Sequence, residues 1–432
     1  MGVIMTSQQL EKICEKIESK ENWFHERDAY AKGINPVIYQ ELPKAAPDFR
    51  ISVPFARKAI QQFSGYMMRS GSITYSGGFF ESTLKPIFDA NDEELVSAME
   101  FVSALKYGVT YELHYSDNNG KDKVFYPIPT NQGLPVYSTD LRPRLTGFYW
   151  LRKVEEECIL TFYDATTQTE WRKPEKAKDW SAPVVVMHGY GQVPVNIGYI
   201  SDDHENLFDH VKDLIDFYDK LVSGDIANES QRYVNALLLL ADRMDTITTD
   251  ESGRTSADRL REIMMLDGLG DEPAKKVAYL TKNIPTEFIS FACKTIYDHI
   301  HDMTPMIDQR DDSLGQASGV AMEYRLLPFE YKAADIEANW SRFLQNRIYM
   351  IAGVTKGLGG AVDGVTEVQI NFKRNLPKNL AEIADTMSKL VGLVSEETLL
   401  RLLPSTVVPD IAEELARIDA TKPDMAMPVK AI

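Results

Sequence analysis

A chain of 432 residues, 44% hydrophobic and 26% charged, has the composition of a folded protein and is too long for one compact core, so two or three structural units are expected. Its 47 Lys and Arg against 64 Asp and Glu give a formal net charge of -17, which argues against a tight, static grip on a phosphate backbone. Three scattered cysteines (Cys14, Cys158, Cys293) form no CxxC and suit idle thiols in a reducing cytoplasm, and no apolar run approaches the roughly 20 residues of a membrane-spanning helix.

The first 50 residues predict an amphipathic helix, without a cleavable signal, and then an extended linker around Lys44–Asp48. Residues 51–70 place Phe55, Ala59, Phe63 and Met67 on one helical face with Ile60 beside them. From 72 to about 200 the pattern becomes short alternating runs ("ITYSG", "TYELHYS", "KVFYPIP", "FYWLRKV", "CILTFYDA") around one helix near 91–106, a mostly β region. "DNNGKD" at 117–122 has hairpin-turn composition, because Asn and Gly tolerate positive φ.

Residues 205–243 predict a long helix, with Leu207, Val211, Leu214, Tyr218 and Leu221 at steps of three and four. Unbroken, it would be about 58 Å long, with Gly224 as its weak point. A polar insertion (245–283) with one helix pattern and two short strands follows. The chain then returns as a helix from Pro285, carrying Phe288, Ala292, Ile296, Ile300 and Met303 on one face until Pro305. Two helices with a small module between them form a projecting stalk. Such a stalk buries too little by itself and packs against neighbouring copies.

A Ser/Gly/Gln loop at 312–318 precedes another long helical pattern. Ser318 can cap it, Val320, Tyr324 and Leu327 share its first face, and Ile336, Trp340, Phe343, Leu344 and Ile348 form a stripe beyond Pro328. Proline lacks the N–H donor and its ring clashes with the carbonyl of Tyr324, so a kink is expected there. A glycine-rich break (353–364), one strand ("TEVQINFKR") and a helical tail complete the chain. In the tail, Asn379 with Glu382 and Asp410 with Glu413 are spaced like capping boxes.

Signals for chemistry are weak. No GxxxxGK[ST], HExxH or GxSxG is present, and "GVTKGLGG" (353–360) has the wrong glycine order for a phosphate cradle. His299 and His301 of "DHIHD" lie about 200° apart on a helix and do not converge on one ion. "DDHEN" (202–206) is an acidic helix start. No enzyme, metal or cofactor is expected.

Five stretches in order carry a resemblance: "VPFARKAIQQFSGYMMRSGSITYSG" (53–77), "ALKYGVTYELHYSDNNGK" (104–121), "VKDLIDFYDKLVSGDIANE" (211–229), "ASGVAMEYRLLPFEYKA" (317–333) and "NFKRNLPKNLAEIADTMSKLVGLVSEETLLRLLP" (371–404). From about residue 50 to 420 the chain resembles the portal proteins of tailed double-stranded DNA bacteriophages, of the siphophage type. It departs at Gly71-Ser72-Ile73, where the family often has Gly-x-Pro, which puts the local turn in question.

The resemblance implies an α+β portal fold. It comprises a mixed wing (1–204, with 353–375 returning to it), a two-helix stem (205–243 and 285–304), a small α/β clip (245–283), a tunnel loop with a kinked helix (305–352) and a helical crown (376–432). It further implies a ring, usually of about twelve copies, at one capsid vertex of the virion, assembled in the host cytoplasm. The implied partners are double-stranded DNA in the channel, the terminase large subunit, major capsid and scaffolding proteins and a head-completion or adaptor protein, with no membrane.

The tunnel loop would be Gln309, Arg310, Asp311, Asp312, Ser313, Leu314, Gly315 and Gln316, with Lys294 and Arg310 as channel cations and Pro328 as the kink. Leu207, Val211, Leu214, Tyr218, Phe288 and Ile296 would line the interface between stems. Two other readings compete. An adaptor would be much shorter and lack the crown-like tail, and a nuclease would need clustered metal-binding carboxylates.

Overall fold

The computed structural model describes residues 5–39, 49–117, 122–177, 179–228, 237–240, 277–280, 285–308, 319–355, 364–374, 380–400, 402–403, 407–408 and 411–421. The chain is α+β and divides into two units: Met1–Asp308 with Phe329–Lys373, and Gln309–Pro328 with Arg374–Ile432.

In the first unit, α1 (Ser7–Glu18) starts with a reciprocal capping box between Thr6 and Gln9. Leu10, Cys14 and Ile17, at steps of four and three, form its buried face. α2 (Glu21–Lys32) ends on Gly33 in the left-handed region. α3 (Phe55–Met67) buries Phe55, Ala59, Ile60, Phe63 and Met67, the face its spacing predicts. After β1 (Ile73–Ser76) come α4 (Lys85–Ala90) and α5 (Glu93–Tyr107). α5 stops at Gly108, whose φ of 74° suits glycine and whose missing Cβ would lie 2.1 Å from the His204 carbonyl oxygen.

The β region resolves into antiparallel sheets. β2 (Val109–Asp117) lies between β3 (Asp122–Ile128) and β9 (Val195–Tyr199). Asp117 pairs with Asp122, so the expected hairpin closes there, its turn residues lying outside the described ones. β4 (Gly133–Tyr137), β5 (Leu145–Val154), β6 (Glu157–Tyr163), β7 (Thr167–Pro174) and β8 (Val184–Met187) form a five-stranded meander in sequence order. Strand alternation sends Tyr149, Leu151, Leu160, Phe162 and Trp171 to a core under α1, and Phe148 and Tyr163 to a second core shared with β2 and β3. The sheet is therefore covered on both faces.

The long helix expected over 205–243 is corrected by the structure. A 3-10 turn (Asp209–Val211) leads into α6 (Lys212–Lys220), and a π-helical stretch (Leu221–Asn228) spans Gly224. Residues Leu237–Leu240 form strand β10, paired antiparallel with β11 (Val277–Leu280). Four consecutive leucines carry no helical period, and a partner strand satisfies their backbone better than an isolated turn would. The remainder of 245–283 lies outside the described residues.

α7 (Thr286–Met303) follows Pro285, as expected. α8 (Gly319–Thr355) is one helix with Pro328 inside it. The stripe read beyond the proline is the core: Ile336, Trp340, Phe343, Leu344 and Ile348 are all buried. Of its first face, Tyr324 is exposed and Leu327 borders on exposed. β12 (Gln369–Phe372) pairs antiparallel with β1, bringing the strand read at "TEVQINFKR" back to the first unit. Gly71 adopts a φ of 76° and the Ser72 N–H donates to the Arg69 carbonyl at 2.8 Å, so the turn forms without proline.

In the second unit, α9 (Leu380–Leu390), α10 (Glu396–Leu400) and α11 (Ile411–Thr421) form the helical tail. Two of them begin one residue after Asn379 and Asp410, which lie outside the described residues.

Candidate assembly and channel surface

α6 is bound to the start of the chain by polar contacts. The Asp219 carboxylate, fully buried, accepts from Asn35 Nδ2 at 2.9 Å and from the Val53 N–H at 3.0 Å. Burial pushes its carboxyl above the usual range, against these hydrogen bonds. Lys212 bridges Glu26 and Asp216, the Tyr30 hydroxyl donates to Asp216, and Arg27 meets Asp209 at 2.9 Å. Burial works against the Lys212 charge, but its carboxylate partners raise its pKa.

α7 packs its C-terminal half on α3. Tyr297 stacks on His301 at 4.0 Å, and both rings pack against Phe55 of α3. Tyr218 of α6 packs edge-on against Phe55 as well. Nearby, Lys58 Nζ approaches His301 Nε2 at 3.3 Å, and the Ile307 N–H donates to Gln62. The N-terminal half differs: Phe288 and Phe291 are 66% and 68% exposed, and Ile300 alone is buried along the whole helix. Phe217 of α6 is also exposed. Large aromatic side chains left in water along one helix pair form an uncovered apolar surface. The edge strand β8 adds Val184, Val185, Val186 and Met187, all exposed.

A family model described as phage portal protein, SPP1 Gp6-like, matches residues 8–425. The chain belongs to that family. A curated portal protein of Clostridium phage phiCD119 is 24% identical over 438 residues, spanning 93% of this chain and 91% of the relative. Among solved structures, the neck of a native GTA particle computed with C12 symmetry aligns at 10% identity and a TM-score of 0.40, covering 81% of this chain and 90% of that one. An HK97 family phage portal protein from Corynebacterium diphtheriae aligns at 10% identity and 0.37, covering 74% and 92%. The portal family is structural rather than catalytic, and the adaptor reading gives way to it.

The residues predicted for the portal's stem interface separate. Leu207, in a bend before the 3-10 turn, and Val211, at its end, are buried within the chain's own core, so they present nothing to a neighbour. Leu214, Tyr218 and Ile296 are half-buried and Phe288 is exposed. Lys294 is exposed on α7, and Gln309–Gln316, including Arg310, lie outside the described residues. His299 is exposed while His301 is packed on Tyr297, and among the described residues no His, Cys, Asp or Glu group of three or more is placed to hold a metal. No described helix is long and apolar enough to cross a membrane.

Sequence reasoning missed a buried charge cluster. Arg347 of α8, fully inaccessible, donates to Glu112 at 2.6 Å, Glu93 at 2.8 Å and Glu100 at 2.6 Å, and to Ser97 at 2.7 Å. Its signal was present. Glu93, Ser97 and Glu100 fall at i, i+4 and i+7 of α5, and Arg347 interrupts an apolar stripe between Leu344 and Ile348.

Proposed function

We propose that about twelve copies of this portal chain close into a ring at one capsid vertex, forming the channel through which double-stranded DNA is packaged and ejected. The ring docks the terminase large subunit during packaging and later joins a head-completion or adaptor protein. It assembles beside major capsid and scaffolding proteins in the host cytoplasm and performs no catalysis itself. In this reading 1–204 with 353–375 is the wing, 205–243 with 285–304 the stem, 245–283 the clip, and 376–432 the crown. Residues 309–318 project toward the axis, ahead of a helix kinked at Pro328.

The observation that carries this reading is the family match over residues 8–425, supported by the uncovered aromatic face of α7. In a ring that face packs on the adjacent stem through Phe288, Phe291, Ile296, Leu214 and Tyr218. Electrostatics agree. About twelve copies at -17 each sum to about -200, which repels the DNA backbone and leaves no deep well to arrest a moving duplex. Rings of Lys294 and Arg310 would centre it.

Negative-stain microscopy and particle mass of the purified protein test the assembly: annular particles with a central hole are expected, and a monomer at micromolar concentration overturns it. Deleting Asp311–Gln316 should spare the ring and impair packaging. A deletion variant that does not assemble would make that segment an interface element instead.

A further inference from the structure

The Arg347 cluster brings three carboxylates to one guanidinium in a space closed to water. Every titratable or charged group facing it can be named. α5 contributes Glu93 and Glu100, β1 contributes Tyr75, β2 contributes Glu112 and His114, and α8 contributes Arg347. Glu112 accepts three hydrogen bonds, which leaves one acceptor position on its Oε2. Its Oε2 takes Arg347 Nε, and its Oε1 takes His114 Nε2 at 2.9 Å and Asn196 Nδ2 at 3.1 Å. Glu93 is served as well, by the Tyr75 hydroxyl at 2.6 Å, Ser97 at 2.6 Å and Arg347.

Glu100 is different. Its Oε2 meets Arg347 Nη2, its buried Oε1 has no donor among the described residues, and it shares with Glu112 the Nε–Nη2 edge of one guanidinium. Three bare carboxylates against one guanidinium leave excess negative charge in a dry space; a carboxylic acid beside a carboxylate relieves it.

We propose that Glu100 and Glu112 share one proton, carried on Glu100, and that this proton fixes the Phe329–Thr355 part of α8 in a single register on the α5–β2 surface. Glu100 is then a donor to Glu112 and an acceptor from Arg347, which completes the cluster. Burial, followed by the nearby Glu112 charge, raises the Glu100 carboxyl well above its ordinary range. Burial would raise Glu112 too, but Arg347 and then His114 hold it well below. A group bound more tightly to its proton in the folded state contributes stability that is complete below the unfolded carboxyl range. That contribution is lost as pH climbs toward the folded value. The lock therefore weakens on the alkaline side.

Thermal melts of the full chain between about pH 5 and about pH 9, in wild type, Glu100→Gln and Glu112→Gln, test it. The amide of Glu100→Gln reproduces the donor and acceptor of the acid without a proton to lose. Its midpoint should fall less steeply with rising pH than that of wild type, in which Asp219 and Glu100 both contribute. Glu112→Gln turns an amide nitrogen toward either the Arg347 donor or those of His114 and Asn196 and should melt lower at every pH. Infrared spectra should show the carbonyl stretch of a buried carboxylic acid in wild type and its loss in Glu100→Gln. Equal pH slopes for wild type and Glu100→Gln, a benign Glu112→Gln, or no acid carbonyl band in wild type would each overturn the proposal.

Discussion

Helix α7 and the second half of α8 are both amphipathic, and only one of them is covered by its own chain. Ile336, Trp340, Phe343, Leu344 and Ile348 of α8 are sealed among α5, β2, β9 and the α4 region, with Arg347 neutralised in the same seam. Phe288 and Phe291 of α7 stand in water, while Tyr297 and His301 pack its C-terminal half on Phe55. The same periodicity thus marks a subunit core in one case and, in the proposed ring, a face for another copy in the other. Spacing identifies an apolar stripe; it does not say whose atoms cover it.

Substitutions can break this contrast, the largest on the α8 side. Arg347→Met should destabilise the subunit by about 3–5 kcal/mol in chemical denaturation, because it strands three buried carboxylates. Trp340→Ala should cost about as much, roughly 3–5 kcal/mol, through the cavity it leaves beside Phe101 and Phe343. Pro328→Ala restores a donor inside α8 and should raise stability by up to about 3 kcal/mol. If a kink at Pro328 serves translocation, rings of that variant will form and package poorly. Phe288→Asp with Phe291→Asp should change subunit stability by no more than about 0.5 kcal/mol yet abolish rings in sizing and microscopy. A large loss of subunit stability there, or intact rings, would erase the distinction between the two helices. Lys294→Ala, smallest of all, should leave both melting and assembly unchanged.

The α3 face, the α5 helix and the α8 stripe were legible from their spacing, and the hairpin at 117–122 from its turn composition. The stalk was legible only in part. A count in steps of three and four ran through Leu207 and Val211, but the chain there is a bend and a 3-10 turn, not an α-helix, and both residues face inward. Beyond Gly224 the pattern failed again, where a π-helical stretch and then a strand replaced the expected turns. The Arg347 cluster was hidden for another reason. Its members come from α5, β2 and α8, separated by up to 254 positions, and an acidic chain offers carboxylates everywhere.

The pairing of β1 with β12 sets a timetable for biosynthesis. Ile73–Ser76 leaves the ribosome roughly 300 residues ahead of its partner Gln369–Phe372, an interval of about 15–60 s at ordinary elongation rates. Until then that strand is an open edge, and the hydrophobic seat for Val365 and Val368 stays unfilled. The last third of the polypeptide therefore decides when the first third becomes safe from sticking to its siblings, and a ribosome that stalls before residue 369 releases a product prone to clump.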